Sequence, residues 1–338
     1  MSEPLEILPP ATDPLASAQS RRRAVIALLI ACVAWGGSFT WAKSIMAGIN
    51  HFAGRNESAR LGVLLLLSWR FLVAGVIWML VFPAARKGWS LASVGRALLL
   101  GLPFTAAMIA QQMGLTRTSA AINAFLTSLT VLFVPLILAI VSRNLPRANL
   151  WVGVALAMAG IWLMTGAAPT GFGLGELLGV GCSMLFSVHI ILINALLWRD
   201  TPARMIGGQF MVTGLAALII TLLIEPEARS LHVLALPFSR ALLLETALLV
   251  IFATLFAFSL MIFFQPKVDP TRAALTYLTE PVFAAAFAFL VQGQRMSIYG
   301  IAGAGLILVA NGLVEWLEAR RRLSDQTSAL PVGLMAGK

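Results

Sequence analysis

The chain has 338 residues, of which 59% are hydrophobic and 11% charged, and a formal net charge of +10 at pH 7. A soluble domain carries roughly 25% charged residues, so this composition excludes a water-soluble globule and points to a polytopic membrane protein. The two cysteines, Cys32 and Cys182, both fall in apolar runs, which argues against a disulfide framework and a cysteine-built metal cluster.

Residues 1–23 are polar, Pro-bearing and aperiodic, and read as a disordered cytoplasmic tail. Arg21–Arg23 before an apolar run, with Leu29-Ile-Ala-Cys32, imitate a lipoprotein signal. The apolar run continues past Cys32, however, and nine further spans follow. Apolar spans are expected at 24–49, 61–82, 94–113, 119–141, 149–166, 174–198, 204–224, 241–265, 272–291 and 297–317. Most approach the ~20 residues that cross ~30 Å of hydrocarbon as a helix. Long unbroken runs predict helices, since barrel strands alternate over about ten residues. Residues 318–338 read as a second cytoplasmic tail, unstructured after Arg322.

With ten spans and a cytoplasmic N-terminus, the inside segments hold Arg21, Arg22, Arg23, Arg86, Lys87, Arg96, Arg143, Arg147, Arg199, Arg204, Lys267, Arg272, Arg320, Arg321 and Arg322. The outside loops hold only Arg55, Arg60, Arg117, Arg229, Arg240 and Arg295. That asymmetry places both termini in the cytoplasm by the positive-inside rule. It also explains the basic balance without a nucleic-acid partner.

The two halves resemble one another. Gln112-Met-Gly-Leu-Thr-Arg-Thr-Ser-Ala-Ala121 lies over Gln265-Pro-Lys-Val-Asp-Pro-Thr-Arg-Ala-Ala274, 153 positions on. Trp35-Gly-Gly-Ser lies over Phe186-Ser-Val-His at offset 151, and Trp69–Gly75 over Gly208–Gly214 at offset 139. Gly153-Val-Ala-Leu-Ala lies over Gly300-Ile-Ala-Gly-Ala at offset 147. The expected organisation is one five-helix repeat at 24–166, a linker at 167–173 and a second repeat at 174–317. Five spans per repeat turn the second copy upside down in the bilayer. Inverted repeats of this kind place a transporter's substrate site near the midplane between the halves.

Ionisable groups inside the spans are few: Lys43, Arg70, His189 and Glu280. A charge at the bilayer centre costs on the order of 2.5–3.5 kcal/mol on insertion scales, so each should face protein or water. Arg70 keeps its proton and reads either as a structural ion pair or as a receiver of a substrate carboxylate. Lys43 lies nearer the interface, where it either snorkels or joins the site. Glu280 precedes Pro281, which kinks the helix, and reads as a substrate group or as the partner of Arg70 or Lys43. His189 is a packing residue or a titrating one. Gln111, Gln112, Asn123, Asn194, Gln209 and Gln265 add neutral polar groups, Ser38 a hydroxyl, and Trp35 and Tyr277 an aromatic lining, with Trp41, Trp69 and Phe186 as further aromatic candidates. Two fixed cations against one carboxylate suit a zwitterionic or anionic cargo.

Ala34-Trp35-Gly36-Gly37-Ser38, Trp69-Arg70-Phe71-Leu72, Glu280-Pro281-Val282-Phe283 and the Gly300–Gly305 helix with Leu306-Ile307-Leu308 resemble the EamA branch of the drug/metabolite transporter superfamily. The resemblance covers nearly all of 24–317. It implies ten helices in two inverted five-helix repeats around a central cavity, and transport of small metabolites, often export of amino acids or related compounds. Family members usually carry Gly-Glu after the ninth span, where this chain has Gly293-Gln294.

The expectation is an alternating-access secondary transporter of the bacterial inner membrane, with lipid and a small-molecule substrate as partners and protons as a candidate coupling ion. No Walker loop is present, and no cofactor or metal is expected. A passive facilitator, a transport-inactive subunit and a membrane-embedded enzyme are the competing readings. The enzyme reading is weakened by the wide separation of His51, His189 and His232.

Overall fold

A computed structural model describes residues 14–118, 120–142, 148–165, 173–292 and 297–328. Residues 1–13, most of the expected 167–173 linker, Gly293-Gln294 and the tail beyond residue 328 lie outside the described residues. Every regular element among the described residues is helical.

In the first half, α1 is Pro14–Phe52, α2 Arg60–Val81, α3 Leu91–Leu115, α4 Ala120–Ser128, α5 Thr130–Ser142 and α6 Ala148–Thr165. In the second, α7 is Leu174–Leu196, α8 Pro202–Ile224, α9 Leu243–Leu248, α10 Ala257–Phe264, α11 Pro270–Tyr277, α12 Glu280–Gln292 and α13 Ile298–Ser328. A π-helical stretch, Leu249–Phe256, joins α9 to α10 without a gap. Six passes are long and apolar enough to cross a membrane: Gln19–Phe52, Arg60–Val81, Leu91–Leu115, Leu174–Arg199, Pro202–Ile224 and Leu243–Lys267. The other four are the two broken passes, α4/α5 and α11/α12, and α6 and α13, whose apolar stretches are shorter.

Both ends of the membrane region are more helical than the sequence suggests. Helix α1 begins at Pro14 rather than near residue 24, and α13 continues to Ser328 past Arg322. Once a helix is nucleated by a buried span, each added residue gains one hydrogen bond for two fixed dihedrals. Polar flanks rich in Ala, Gln, Arg and Leu therefore extend it.

The two broken passes have separate local causes. Between α11 and α12, Pro281 has no N–H for the Tyr277 carbonyl, and the Leu278 and Thr279 N–H groups fall back on Leu275 and Thr276 oxygens at 3.2 and 3.1 Å. Between α4 and α5, the Thr127 and Ser128 hydroxyls bond back to the Asn123 and Ala124 carbonyls at 2.9 and 2.7 Å, an arrangement that bends helices. The Leu129 N–H then tightens onto Leu126 O at 3.2 Å.

Packing follows the repeat. Helix α2 lies along α8 and α6 along α13, each pairing one repeat with its own counterpart. Helix α3 packs on α7, while α1 packs on the π stretch, α10 and α12. That exchange of partners is what a two-fold relation between halves produces. Two hydrogen bonds span the exchanged pairs: Trp35 Nε1 donates to Ala253 O at 3.0 Å, and His189, the counterpart of Ser38 one turn on, meets Leu100 O through Nδ1 at 3.1 Å. Ala253 and Leu100 are themselves 153 positions apart. The chain thus folds as two inverted five-helix repeats, with α2 and α8 in close contact because a methyl on Gly214 would lie 2.6 Å from Leu72 N.

Charged ties hold the loop ends. Asp200, between α7 and α8, accepts from Arg96 of α3 at 2.8 Å and pairs with Arg204 of α8. Burial raises the Asp200 carboxyl, but hydrogen bonds from Arg96, Ser93 and the Thr201 N–H, with the Arg204 charge, outweigh it and hold the group below its ordinary value. At the other end of α8, buried Glu225 pairs with Arg55 at 3.2 Å and with Arg60.

Candidate functional site

A cavity opens between the repeats, with about 840 Å³ of empty space including its mouth. Its wall takes Trp35, Ser38 and Phe39 from α1, Arg70 from α2, and Met108, Gln111 and Gln112 from α3. Ala124, Thr127, Ser128 and Thr130 come from the broken fourth pass, and Phe186 and Ile190 from α7. Phe258, Met261, Tyr277, Glu280 and Pro281 complete it from the second repeat. Both helix breaks therefore border the cavity.

Arg70 is 2% exposed and lies at this wall. Its Nε donates to Thr254 Oγ1 at 2.7 Å and its Nη2 to Ala253 O at 3.3 Å. The π stretch makes the second bond available. In an α-helix the Ala257 N–H would bond to Ala253 O; here it is shared between Phe252 O and Thr254 O, which leaves the Ala253 carbonyl to accept from Arg70 and Trp35. The guanidinium carbon also sits 5.2 Å from the Phe71 ring centroid and 5.9 Å from that of Phe258, within cation–π range. No carboxylate lies within 4.0 Å of Arg70 among the described residues, and Glu280 shares the cavity without closing an ion pair on it.

The aromatic wall is built by contact. The Trp35 ring lies 4.9 Å from Phe258 and 5.7 Å from Tyr277, centroid to centroid. Tyr277 is fixed from behind: its hydroxyl donates to Gln265 Oε1 at 2.8 Å, while Gln265 Nε2 donates to Ile190 O and Asn194 Oδ1, each at 2.8 Å. Asn194 in turn donates to Val268 O at 2.6 Å.

Of the residues singled out in the sequence, Trp35, Ser38, Arg70, Gln111, Gln112, Phe186, Tyr277 and Glu280 line the cavity. Others are placed elsewhere. Gln265 is wholly buried in the network behind Tyr277 and supports the wall rather than forming it. His189 is wholly buried between α3 and α7, its ring 4.9 Å from Phe104, because the Leu100 carbonyl holds Nδ1 there. Asn123 is buried behind the wall, where its Nδ2 donates to Gln111 O at 3.2 Å and bridges α4 to α3. Lys43 is on an exposed face of α1. Trp69, another aromatic candidate, is tied to Leu234 O at 2.8 Å and packs on Phe238.

Several lining residues carried no flag in the sequence. Thr127, Ser128 and Thr130 form a hydroxyl cluster, and Thr127 is the repeat counterpart of Glu280 at offset 153; the internal match held that signal. Phe39, Phe258, Met108 and Met261 are apolar residues in apolar helices, and nothing in their spacing separates a cavity face from a lipid face. Among the described residues no three His, Cys, Asp or Glu side chains converge as a metal site.

Comparison with known proteins agrees with this architecture. The profile of the EamA-like transporter family matches twice, over residues 22–166 and 173–315. A protein of Archaeoglobus fulgidus described as an uncharacterized transporter is 25% identical over 297 residues, spanning 86% of this chain and 85% of its own length. A crystal structure of another protein superposes with a TM-score of 0.68 at 17% identity, over 89% of this chain and 99% of that one, which is a likeness of fold.

Proposed function

The chain belongs to the EamA-like transporter family, and from that premise we propose that it is a secondary carrier of small zwitterionic or anionic metabolites, amino acids foremost. The observation that carries the proposal is Arg70. It is a permanent cation, buried at the cavity wall, with no carboxylate within 4.0 Å among the described residues. Of its five N–H donors, Thr254 and Ala253 take two. The remainder are available for a bidentate carboxylate, the partner whose geometry the guanidinium fork matches. Trp35, Phe186 and Tyr277 cover the apolar part of such a ligand.

Transport proceeds by alternating access on this reading, with the two halves rocking about the cavity and the helix breaks yielding at its edge. Export is the direction that the family resemblance implies. Glu280 is the titratable acid in the cavity and hence the candidate for proton coupling, since His189 is packed away from it. The setting is the bacterial inner membrane with both termini cytoplasmic, supported by the arginine asymmetry of the loops.

The test is counterflow of labelled amino acids into liposomes holding purified protein. Arg70→Ala should abolish saturable flux at normal membrane yield and monodispersity. Flux of every substrate at the unmutated rate would overturn the assignment. Flux indifferent to an imposed proton gradient would remove the coupling role of Glu280 and leave the carrier reading intact.

A further inference from the structure

The repeat exposes a difference between two equivalent glutamines. Gln112 and Gln265 stand 153 positions apart at the ends of the third and eighth passes. Gln265 is wholly buried and fully engaged: Oε1 accepts from Tyr277, and Nε2 donates to Asn194 Oδ1 and Ile190 O. The counterparts of those two side chains in the first repeat are Ala124, 153 positions before Tyr277, and Lys43, 151 before Asn194. Alanine offers no hydroxyl, and Lys43 is on an exposed face. Gln112 is therefore left at the cavity wall, 3% exposed, with its Oε1 unpartnered among the described residues. Its Nε2 points at Gln111 Oε1, 3.5 Å away, which leaves the carbonyl end of the amide as the open one.

The neighbouring hydroxyls have the same polarity. Thr127 Oγ1 and Ser128 Oγ each commit their single proton to a backbone carbonyl of α4, at 2.9 and 2.7 Å. Thr127 Oγ1 also lies 4.0 Å from Cys182 Sγ; the lone pairs left on the two hydroxyls, with those of the Glu280 carboxylate when ionised, are what the wall presents. A buried acceptor left without a donor is costly, so this wall calls for a ligand bearing N–H groups, and a primary ammonium carries three donors.

We infer that Gln112 is a specificity-determining residue that, with the acceptor-only hydroxyls of Thr127 and Ser128, selects cargo carrying a primary ammonium group. The inference rests on the carrier reading above and narrows it. Arg70 accounts for the carboxylate; the Gln112 wall distinguishes an amino acid from the same acid with hydrogen in place of the amine. A site built to hydrogen-bond a substrate nitrogen rejects the analogue that lacks it, because its own polar groups are then left bare.

The experiment is a thermal-shift titration of purified full-length protein against the common α-amino acids, each paired with its desamino acid. The expected result is at least one amino acid binding about 10-fold or more tighter than its desamino partner. Gln112→Met, which keeps the volume but loses the acceptor, should bring that ratio close to one by weakening the amino acid alone. Gln112→Glu keeps an acceptor at the position and should preserve the ratio; it also shows that the position tolerates substitution. Equal binding of both members of a pair by the unmutated protein overturns the inference while leaving the carrier reading in place. A ratio unchanged in Gln112→Met also overturns it. Binding of no amino acid and no desamino acid overturns the inference together with the amino-acid cargo of the proposed function.

Discussion

Replacing Gly36 by alanine isolates one contact between the repeats. A methyl group built there lies 2.8 Å from Ala284 N and Phe283 Cβ and 2.9 Å from the Phe283 carbonyl carbon. Reaching the 3.4 Å at which ordinary contact begins requires α1 and α12 to separate by about 0.6 Å. The obstacle is mainly helix backbone, so a change of rotamer gives no relief, and overpacking of this kind costs about 1–3 kcal/mol. Gly37 is the built-in control. A methyl there meets Trp41 at 3.6 Å and Phe287 at 3.8 Å, both ordinary contacts. Both substitutions gain the same helix propensity, about 1 kcal/mol over glycine, so the difference between them reads the clash alone. In a thermal-unfolding assay of purified protein, Gly36→Ala should melt several degrees below Gly37→Ala, at about 2–4 °C per kcal/mol for a large domain. A Gly36→Ala protein that melts level with Gly37→Ala, or above it, would refute the close approach of α1 and α12 at the cavity edge.

Two further outcomes follow from buried polar groups. Gln209 is wholly buried with neither amide atom partnered among the described residues. Gln209→Met should therefore raise the melting temperature, each unmet group costing about 1–3 kcal/mol, and an unchanged or lower value counts against the assignment. Asp200 has its carboxyl held below the ordinary value, so its stabilising share is complete at neutral pH and is lost as pH falls through that lowered value. Asp200→Asn should lower the melting temperature at pH 7, by an amount equivalent to about 1–3 kcal/mol for charged hydrogen bonds. The gap from the unmutated protein should close on acidification below the usual carboxylate range of about 4; a gap that is constant with pH would contradict the pairing.

The passes were legible because hydrocarbon imposes a length and a composition that few other structures share. The break before Glu280 was legible too, since Pro281 lacks the N–H that the helix needs. The break after Ser128 was hidden: its cause is hydroxyls bonding to their own helix, and Thr and Ser occur in straight helices as well. The π stretch had no mark at all, because Leu249–Phe256 is apolar but for Thr254 and the wider turn shows only in which carbonyl each N–H meets.

The site was read through polarity, and polarity alone does not say which way a side chain turns. Arg70 and Gln265 are both polar groups in apolar passes. One reaches the cavity and the other is tied up by Tyr277, 12 positions on, and by Asn194, 71 positions back. His189 attracted notice as the histidine of a span, yet a single carbonyl on α3 holds it away from the ligand space. Such outcomes depend on partners 71 or 89 positions away in the chain, beyond the reach of local pattern.

The widened turn at Leu249–Phe256 gives the eighth pass spare thread. An extra residue wound into a helix shortens it without breaking it, and rewinding to the ordinary pitch pays that length out again while rotating whatever lies beyond. Arg70 and Trp35 grip the same oxygen at Ala253, so a rewound turn would release one anchor of the buried guanidinium and the anchor of the indole in one motion. Both releases would then share a single screw thread, cut into one helix of the second repeat and engaged by two side chains of the first.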